Sequence, residues 1–528
     1  MSTRILGVHA GPDASACLLV NNRLVASVAR ERLTRRKHDG GEPLECVDAL
    51  LAAAGLKAGD IDLVVRCGRA AAPSPAAYEA IGFARVQTTR RHHLLHAYAA
   101  SVMAPPGRAL VMVVDGQGCS PEDNGFQGRD AALREVESVY LHEQGRLTEL
   151  DKIYRPLAAG PGGSGVAIDS LGEAYAAVSR RVFGSSQAAG KLMALAALAT
   201  GAQRLPEPLL YGPDTPFALN PDWLACLAPS PQPLGWQAPR AADLAAGVQR
   251  SLEGYMAWRT RELARRHQCS QLLLGGGVAL NCKNNGLLAN AGWLSRVDIF
   301  PAAGNDGLAV GAAVMALREI FGDHRPLQYQ VSQGPCVIEQ VIEQADRQTL
   351  QHAADALAQR LAQGRVVGVV QGGSEFGPRA LGYRSILSAA TDLAFKTRIN
   401  EQIKRREPFR PFGGIVLVSR LAQLTPDRLA GPHMLSAARM NEPARASYPA
   451  LAHLDGTVRL QLVEEDGGLL HRVLQAYEAL TGRVALINTS FNACDEPIVE
   501  TLAQARACAA AIGLDHLYAQ GHLENLRP

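Results

Sequence analysis

Apolar runs of strand length, cut by turn residues, open the chain. Ile5-Leu6-Gly7-Val8 leads through the turn Gly11-Pro12-Asp13 into Ala16–Val20, and the two-residue turn Asn21-Asn22 leads into Arg23–Val28. That pattern predicts three strands joined by hairpins. The plan recurs further on: Leu110–Val114 runs into Asp115-Gly116, then Val139–Leu141 turns at Glu143-Gln144-Gly145 into Arg146–Leu150. Helical spacing takes over at Leu171–Val182 and at Ala241–His267, where Leu244, Val248, Leu252 and Met256 recur on one face. Gln271–Leu274 reads as a buried strand ending in Gly275-Gly276-Gly277, and Leu308–Leu317 as a helix of small residues. A polar, aperiodic stretch over Gly322–Gln340 marks a domain boundary. Beyond it come a helix, Gln348–Leu361, a strand, Gly364–Val370, and a strand at Ala485–Ile487 that empties into Asn488-Thr489-Ser490-Phe491-Asn492.

Two copies of strand, glycine-bearing turn and hairpin are what the duplicated actin and sugar-kinase type of nucleotide-binding fold carries, with its glycine turns approaching phosphates. The 528 residues are too many for one core and predict at least two domains. Apolar content of 47% supports real burial, and 53 basic against 50 acidic residues argue against a surface that wraps a polyanion or hugs a membrane. No apolar run reaches spanning length and no leader-like segment opens the chain, so the expected location is the cytoplasm. The ten cysteines are scattered without a CxxC pair, which fits buried thiols in a reducing compartment rather than disulfides or a zinc ribbon.

Candidate chemistry starts at Arg91-His92-His93-Leu94-Leu95-His96-Ala97. On a helix His92 and His96 share a face, and Asp115 at the end of the following strand offers a carboxylate to the same cleft. Such a pair is more often structural than metal-binding, and His93 keeps the choice of imidazoles open. The run Arg30–His38 is either a solvated face or a lobe over a phosphate. Gly160-Pro161-Gly162-Gly163-Ser164-Gly165 is a loop without the closing Lys-Ser/Thr of a P-loop. The proline-rich stretch 204–240 suits a lid or a partner contact. Gly275–Gly277 is either a tight strand-to-helix turn or a seat for a ligand's phosphate or ribose. Asp306 lies in a second Asp-Gly corner. The densest polar stretch is Gln371–Ile386 with Asn400–Phe412, where glycine, proline and aromatics would hold guanidinium forks still, as phosphate or carboxylate recognition requires.

Over nearly its whole length the chain resembles the O-carbamoyltransferases that act on tobramycin, cephamycins, novobiocin and nodulation factors. The resemblance rests on Arg91–Ala97, Val114–Gly118, Gly190-Lys191-Leu192-Met193, Gly275–Asn281, Phe376–Ser385, Arg406-Glu407 with Arg410-Pro411-Phe412, and Asn488–Asn492. It implies an α/β protein with a duplicated actin-like (ASKHA) domain over 1–335 and a YrdC-like α/β domain over 336–528. It also implies an ATP-dependent reaction. Carbamoyl phosphate is hydrolysed to carbamate and adenylated to carbamoyladenylate in the second domain, and the carbamoyl group passes to a hydroxyl of a natural-product acceptor in the first. Position by position, His92, His96, Asp115 and Asp306 would hold a divalent metal, with iron(II) favoured and manganese or zinc possible. Gly116, Gln117, Gly275, Gly276, Gly277 and Asn281 would bind nucleotide. Arg379, Arg384, Lys404, Arg406, Arg410, Asn488, Ser490 and Asn492 would bind carbamoyl phosphate, and Lys37 would face the intermediate. The implied ligands are ATP with magnesium, carbamoyl phosphate and a small hydroxylated acceptor. Neither nucleic acid nor membrane is implied, and the oligomeric state is open, a homodimer being one of the alternatives.

The chain departs from that pattern at Pro12, where relatives carry histidine, and His9 is the expected substitute. Gly413-Gly414 replace the usual Ala-Pro. Alternative readings are a catalytically altered protein that binds carbamoyl phosphate or nucleotide, and an actin-fold small-molecule kinase. The His92/His96 pair speaks against the kinase, which would hold magnesium through carboxylates and water.

Overall fold

The computed structural model describes residues 2–68, 76–126, 132–159, 166–201, 205–212, 218–227, 232–336 and 347–526. The glycine-rich loop 160–165 and parts of the proline-rich stretch lie outside the described residues.

Two sheets share one plan. In the first, β1 (Arg4–His9), β2 (Ser15–Val20), β3 (Arg23–Ala29), β4 (Leu63–Cys67) and β5 (Val86–Thr89) lie in the order β3-β2-β1-β4-β5. In the second, β6 (Arg108–Val114), β7 (Leu133–Glu143) and β8 (Arg146–Ala159), extended by β9 (Val166–Ile168), are followed, after a short ribbon of β10 (Leu209–Leu210) and β11 (Ala218–Leu219), by β12 (Gln271–Gly275) and β13 (Arg296–Ile299). Their order is β13-β12-β6-β7-β8-β9. In both sheets the first three strands form an antiparallel meander and the fourth pairs parallel with the first. The duplication read from the strand and turn pattern is therefore present as topology, and the fold is α/β with an actin-like repeat. Left-handed residues make the hairpins: Asn21 has φ 54°, and Gln144 and Gly145 have φ 48° and 76°. Central strands β1 and β6 are buried on both faces, which is why each reads as a continuous apolar run.

A third, mixed sheet serves the C-terminal part: β14 (Val367–Val370), β15 (Arg384–Ser388), β16 (Gly413–Leu417), β17 (His433–Arg439), β18 (Thr457–Val463), β19 (Ala485–Ser490), β20 (His516–Ala519) and β21 (His522–Asn525). Its order is β17-β18-β16-β19-β15-β14-β20-β21. Helices Arg347–Ala362 and Leu469–Thr481 pack together over one face around Leu357, Leu361, Val473 and Tyr477. Leu502–Ile512 contributes Ala505 and Ala509 to the core on Ile386, Ile487 and Leu517.

By packing, the chain divides into Met1–Thr88 with Pro326–Pro528, and Thr89–Arg325. This division cuts across the expected domain 1–335, because the first sheet is hydrogen-bonded to later chain: the Leu24 amide donates to Gln328 O and the Ser27 amide to Gln333 O. The basic run takes part. The Arg32 guanidinium donates to the carbonyls of Glu375 and Gly377, and that of Arg35 to Pro497 and Ile498. Among the described residues no helix is long and apolar enough to cross a membrane.

Candidate active site

In Thr89–Arg325, two elements carry the strongest constellation. Helix His92–Ala100 is apolar on nearly every side and is clamped by the equally apolar helix Leu308–Glu319. The clamp is tight: a Cβ on Gly311 would stand 2.0 Å from Leu95 O. One turn of helix brings His92 Nε2 to 3.3 Å from His96 Nε2, and Asp115, just past β6, places Oδ2 at 3.2 and 3.3 Å from the same two nitrogens. Ligands about 2.0–2.1 Å from a tetrahedral metal are about 3.3 Å from one another, so this triangle has the size of one face of such a site. One carboxylate oxygen shared by two imidazole nitrogens that also face each other is an arrangement a cation satisfies. The residues present fit a divalent metal.

Electrostatics favour the ligating forms. Burial pushes His96 below its ordinary range in spite of Asp115, which keeps the ring neutral. Burial alone would raise the Asp115 carboxyl, but the bonds from His92 and His96 outweigh it and hold the group well below the usual carboxylate range. His93, fully buried, turns away: its Nδ1 lies 2.9 Å from Ser138 Oγ, and burial pushes it down to about 4. That settles which imidazoles converge. Asp306, on a turn packed against the histidine helix, accepts from its own neighbour's amide at 3.2 Å and is not among the three groups whose ligand atoms converge. The structure thus brings three of the four expected ligands together.

The glycine turn after β12 has a packing reason. A Cβ on Gly276 (φ 85°) would stand 2.4 Å from Val114 O, one on Gly275 would stand 3.1 Å from His96 O, and one on Gly277 would stand 3.1 Å from Asp115 Oδ1. Three bare backbones let β12 end directly against the cluster. Gly116 O accepts from Ser170 Oγ, which caps the next helix by accepting the Glu173 amide. Buried Glu135 accepts the amides of His93 and Cys119 at 3.0 and 3.1 Å, anchoring the histidine helix by its N-terminus. Asn281 is committed elsewhere. Its amide exchanges bonds with Gln249 and caps the helix Cys282–Ala289, so its side chain is used for framework rather than for nucleotide.

A second constellation lies in the other unit. Lys404, buried, sends Nζ to Ser490 O, to Asn492 O at 3.0 Å and to Asn492 Oδ1 at 2.8 Å, which joins three expected residues from distant stretches. Arg406 stacks on Phe412, with its guanidinium carbon 4.5 Å from the ring centre, and donates to Asn400 Oδ1; Arg410 donates to Glu407. Burial pushes Lys404 well below its ordinary range, and Arg406 and Lys37 push it further. Burial likewise lowers Arg406, as do Arg410 and Arg459; Arg410 is lowered by burial and Arg459 while Glu407 opposes. Cations gathered out of bulk water that depress one another mark a place where an anion is favoured. Arg459 of β18 belongs to this group because its charge acts on Arg406 and Arg410, and its Nε is buried without a hydrogen bond. Its sequence context, one arginine in an alternating strand, gave little signal. Lys37 is exposed, and its charge is felt at Lys404.

Three expected residues are placed otherwise. Arg384, fully buried, directs its guanidinium to the carbonyls of Glu500, Gln371, Gly372, Tyr383 and Cys336, which leaves it a framework residue rather than a phosphate ligand. Asn488 donates to Gln461 and Ala380. His9 is spent on its own turn, with Nε2 3.0 Å from Pro12 O and Nδ1 3.5 Å from Cys67 Sγ, so it does not stand in for the histidine replaced by Pro12. Arg379 sits half-exposed in the turn between Glu375 and Arg384.

Residues 229–314 match the family model of the carbamoyltransferase N-terminus, and residues 358–525 that of the carbamoyltransferase C-terminus. Nodulation protein NolNO of Sinorhizobium fredii is 30% identical over 97% of this chain and 78% of its own length. An uncharacterized protein of Synechocystis sp. is 27% identical over 98% of this chain and 95% of its own. The 3'-hydroxymethylcephem-O-carbamoyltransferase of Amycolatopsis lactamdurans is 36% identical over 44% of each chain. The chain belongs to the carbamoyltransferase family. It is a transferase enzyme of that family.

Proposed function

We propose that this protein is an ATP-dependent O-carbamoyltransferase working in two stages, with its home in the cytoplasm. In the C-terminal domain, taken as 336–528, carbamoyl phosphate binds with its phosphate on Lys404, Arg406, Arg410 and Arg459, with Arg379 at the rim. Its hydrolysis gives carbamate, whose oxygen attacks the α-phosphate of ATP; pyrophosphate leaves and carbamoyladenylate remains. Carbamate decays in water, so forming and capturing it in one closed site prevents its loss. In the N-terminal domain, 1–335, a hydroxyl of a small natural product attacks the carbamoyl carbon and AMP departs. His92, His96 and Asp115, with Asp306 as a fourth group, would hold a divalent metal, iron(II), manganese or zinc. When bound, such an ion offsets charge on the departing phosphate. Gly275–Gly277, Gly116 and Gln117 would lie along the nucleotide, and Lys37 would offset charge on the intermediate.

The observation that carries the reading is the group of partly buried arginines gathered around buried Lys404, in a chain whose family transfers carbamoyl groups. The test supplies carbamoyl phosphate labelled in its carbonyl carbon, ATP with magnesium, and 3'-hydroxymethylcephem as a probe for a hydroxyl acceptor. Label on the acceptor oxygen, with one AMP formed per carbamate, is expected. Transfer that proceeds without ATP refutes the adenylate route.

A further inference from the structure

A cavity of about 440 Å³ opens wholly within the first sheet's unit, lined by Gly11, Pro12, His38, Gly40, Glu42 and Arg66 among others. Its volume is in the range of small-molecule sites. Arg66 and Glu42 form a closed bidentate pair with contacts of 2.8 and 3.0 Å, and Tyr78 also donates to Glu42. That wall therefore presents little net charge. Glycine backbone makes up much of the rest. The surface left exposed in the cavity is mostly apolar, so it suits an uncharged molecule that presents a hydroxyl better than an anion.

Within this setting His38 Nδ1 lies 2.7 Å from Asp13 Oδ1. The carboxylate fixes the ring with its proton on Nδ1, so Nε2 is the atom that can accept one. Both partners have left-handed backbone, φ 55° at His38 and 57° at Asp13, where side-chain-bearing residues are strained. The His38 amide is held by Glu31 Oε2 at 2.8 Å. Asp13 occupies the turn after the first strand of its sheet, as Asp115 does in the other copy, so each copy carries an aspartate bound to imidazole at the same turn.

We propose that this cavity receives a hydroxyl of an uncharged acceptor and that His38 is the base that takes its proton, oriented by Asp13. The inference rests on the function proposed above. As the acceptor oxygen forms its bond to the carbamoyl carbon, its proton passes to His38 Nε2. The bond from that carbon to the leaving oxygen breaks, and the electron pair departs with the leaving group. Asp13 stabilises the imidazolium, which then releases its proton to water.

The experiment uses the full chain with carbamoyl phosphate and ATP and two probe acceptors, glycerol and hydroxylamine. Hydroxylamine attacks without prior loss of a proton and yields hydroxyurea; glycerol needs a base. In His38→Gly, where glycine tolerates the backbone angle, the ratio of glycerol to hydroxylamine carbamoylation is expected to fall at least tenfold, and added imidazole to restore part of it. In Asp13→Asn the acid limb of the glycerol profile moves to lower pH, because Asp13 is the main influence raising His38, with Glu31 adding to it and Lys37 opposing. An unchanged ratio in His38→Gly overturns the proposal, as does a wild type that captures hydroxylamine but not glycerol. Wild type that forms neither product defeats the underlying function instead.

Discussion

His92 Nε2 and His96 Nε2 face each other at 3.3 Å across one oxygen of Asp115. Two imidazoles and a carboxylate held this close predict one equivalent of divalent metal in the purified protein, measured by elemental analysis. His96→Ala and Asp115→Asn should lose it. His93→Ala should keep it, since that ring is bonded to Ser138, yet lose about 2 kcal/mol of stability for a buried ring removed. Metal at a hundredfold its Kd should raise the stability of the stripped protein by about 2.7 kcal/mol.

Gly276 tests whether the glycine turn serves the cluster. With φ 85° and a Cβ position 2.4 Å from Val114 O, Gly276→Ala should cost about 1–3 kcal/mol and weaken metal binding by displacing the end of β6. Gly292→Ala, where a Cβ meets nothing within 4 Å, is the control and should be near neutral. Thermal melts with and without metal separate the two.

Arg459 should matter to the anion more than to the fold. Removing one of several cations that repel one another relieves the free protein, so Arg459→Gln should melt no lower than wild type. Its affinity for carbamoyl phosphate should fall by the worth of a charge-assisted hydrogen bond, about 1.5–3 kcal/mol or roughly tenfold to a hundredfold. Calorimetric titration reads this directly.

Lys404 gives a pH signature. Its folded pKa lies well below the ordinary lysine value of 10.5, chiefly through burial. Between those two values the unfolded chain binds the additional proton, so stability rises with pH and levels off above 10.5. The stability of wild type relative to Lys404→Met should therefore increase across that window. An anion stabilises the ammonium, so sulfate binding should take up more protons in wild type than in Lys404→Met, as titrations in buffers of different ionisation enthalpy would register.

Local signals carried far in this chain. Apolar runs of strand length and the left-handed turn residues Asn21 and Gly145 are enough for the hairpins, and the repetition of that plan for the duplicated sheets. The His92/His96/Asp115 group was readable because two members share a helix turn and the third ends the next strand. Direction was harder to read: Arg384 and Arg406 look alike in a glycine-rich, arginine-rich stretch, yet only folding shows one directed to carbonyls and the other facing like charges. His38 was hidden because its partner, Asp13, lies across a hairpin and a helix. Arg459 was hidden because its neighbours in space come from other strands. The packing division at 88 and 325 was unreadable for the same reason, since it depends on hydrogen bonds from β3 to chain about three hundred residues later.

Pyrophosphate release tests the central claim most directly, measured with ATP alone, carbamoyl phosphate alone and both together. The account predicts release only with both, with AMP formed in equal amount once a hydroxyl acceptor is added and the rate at least tenfold lower in Lys404→Met. Release with ATP alone, or ADP in place of AMP, would contradict it.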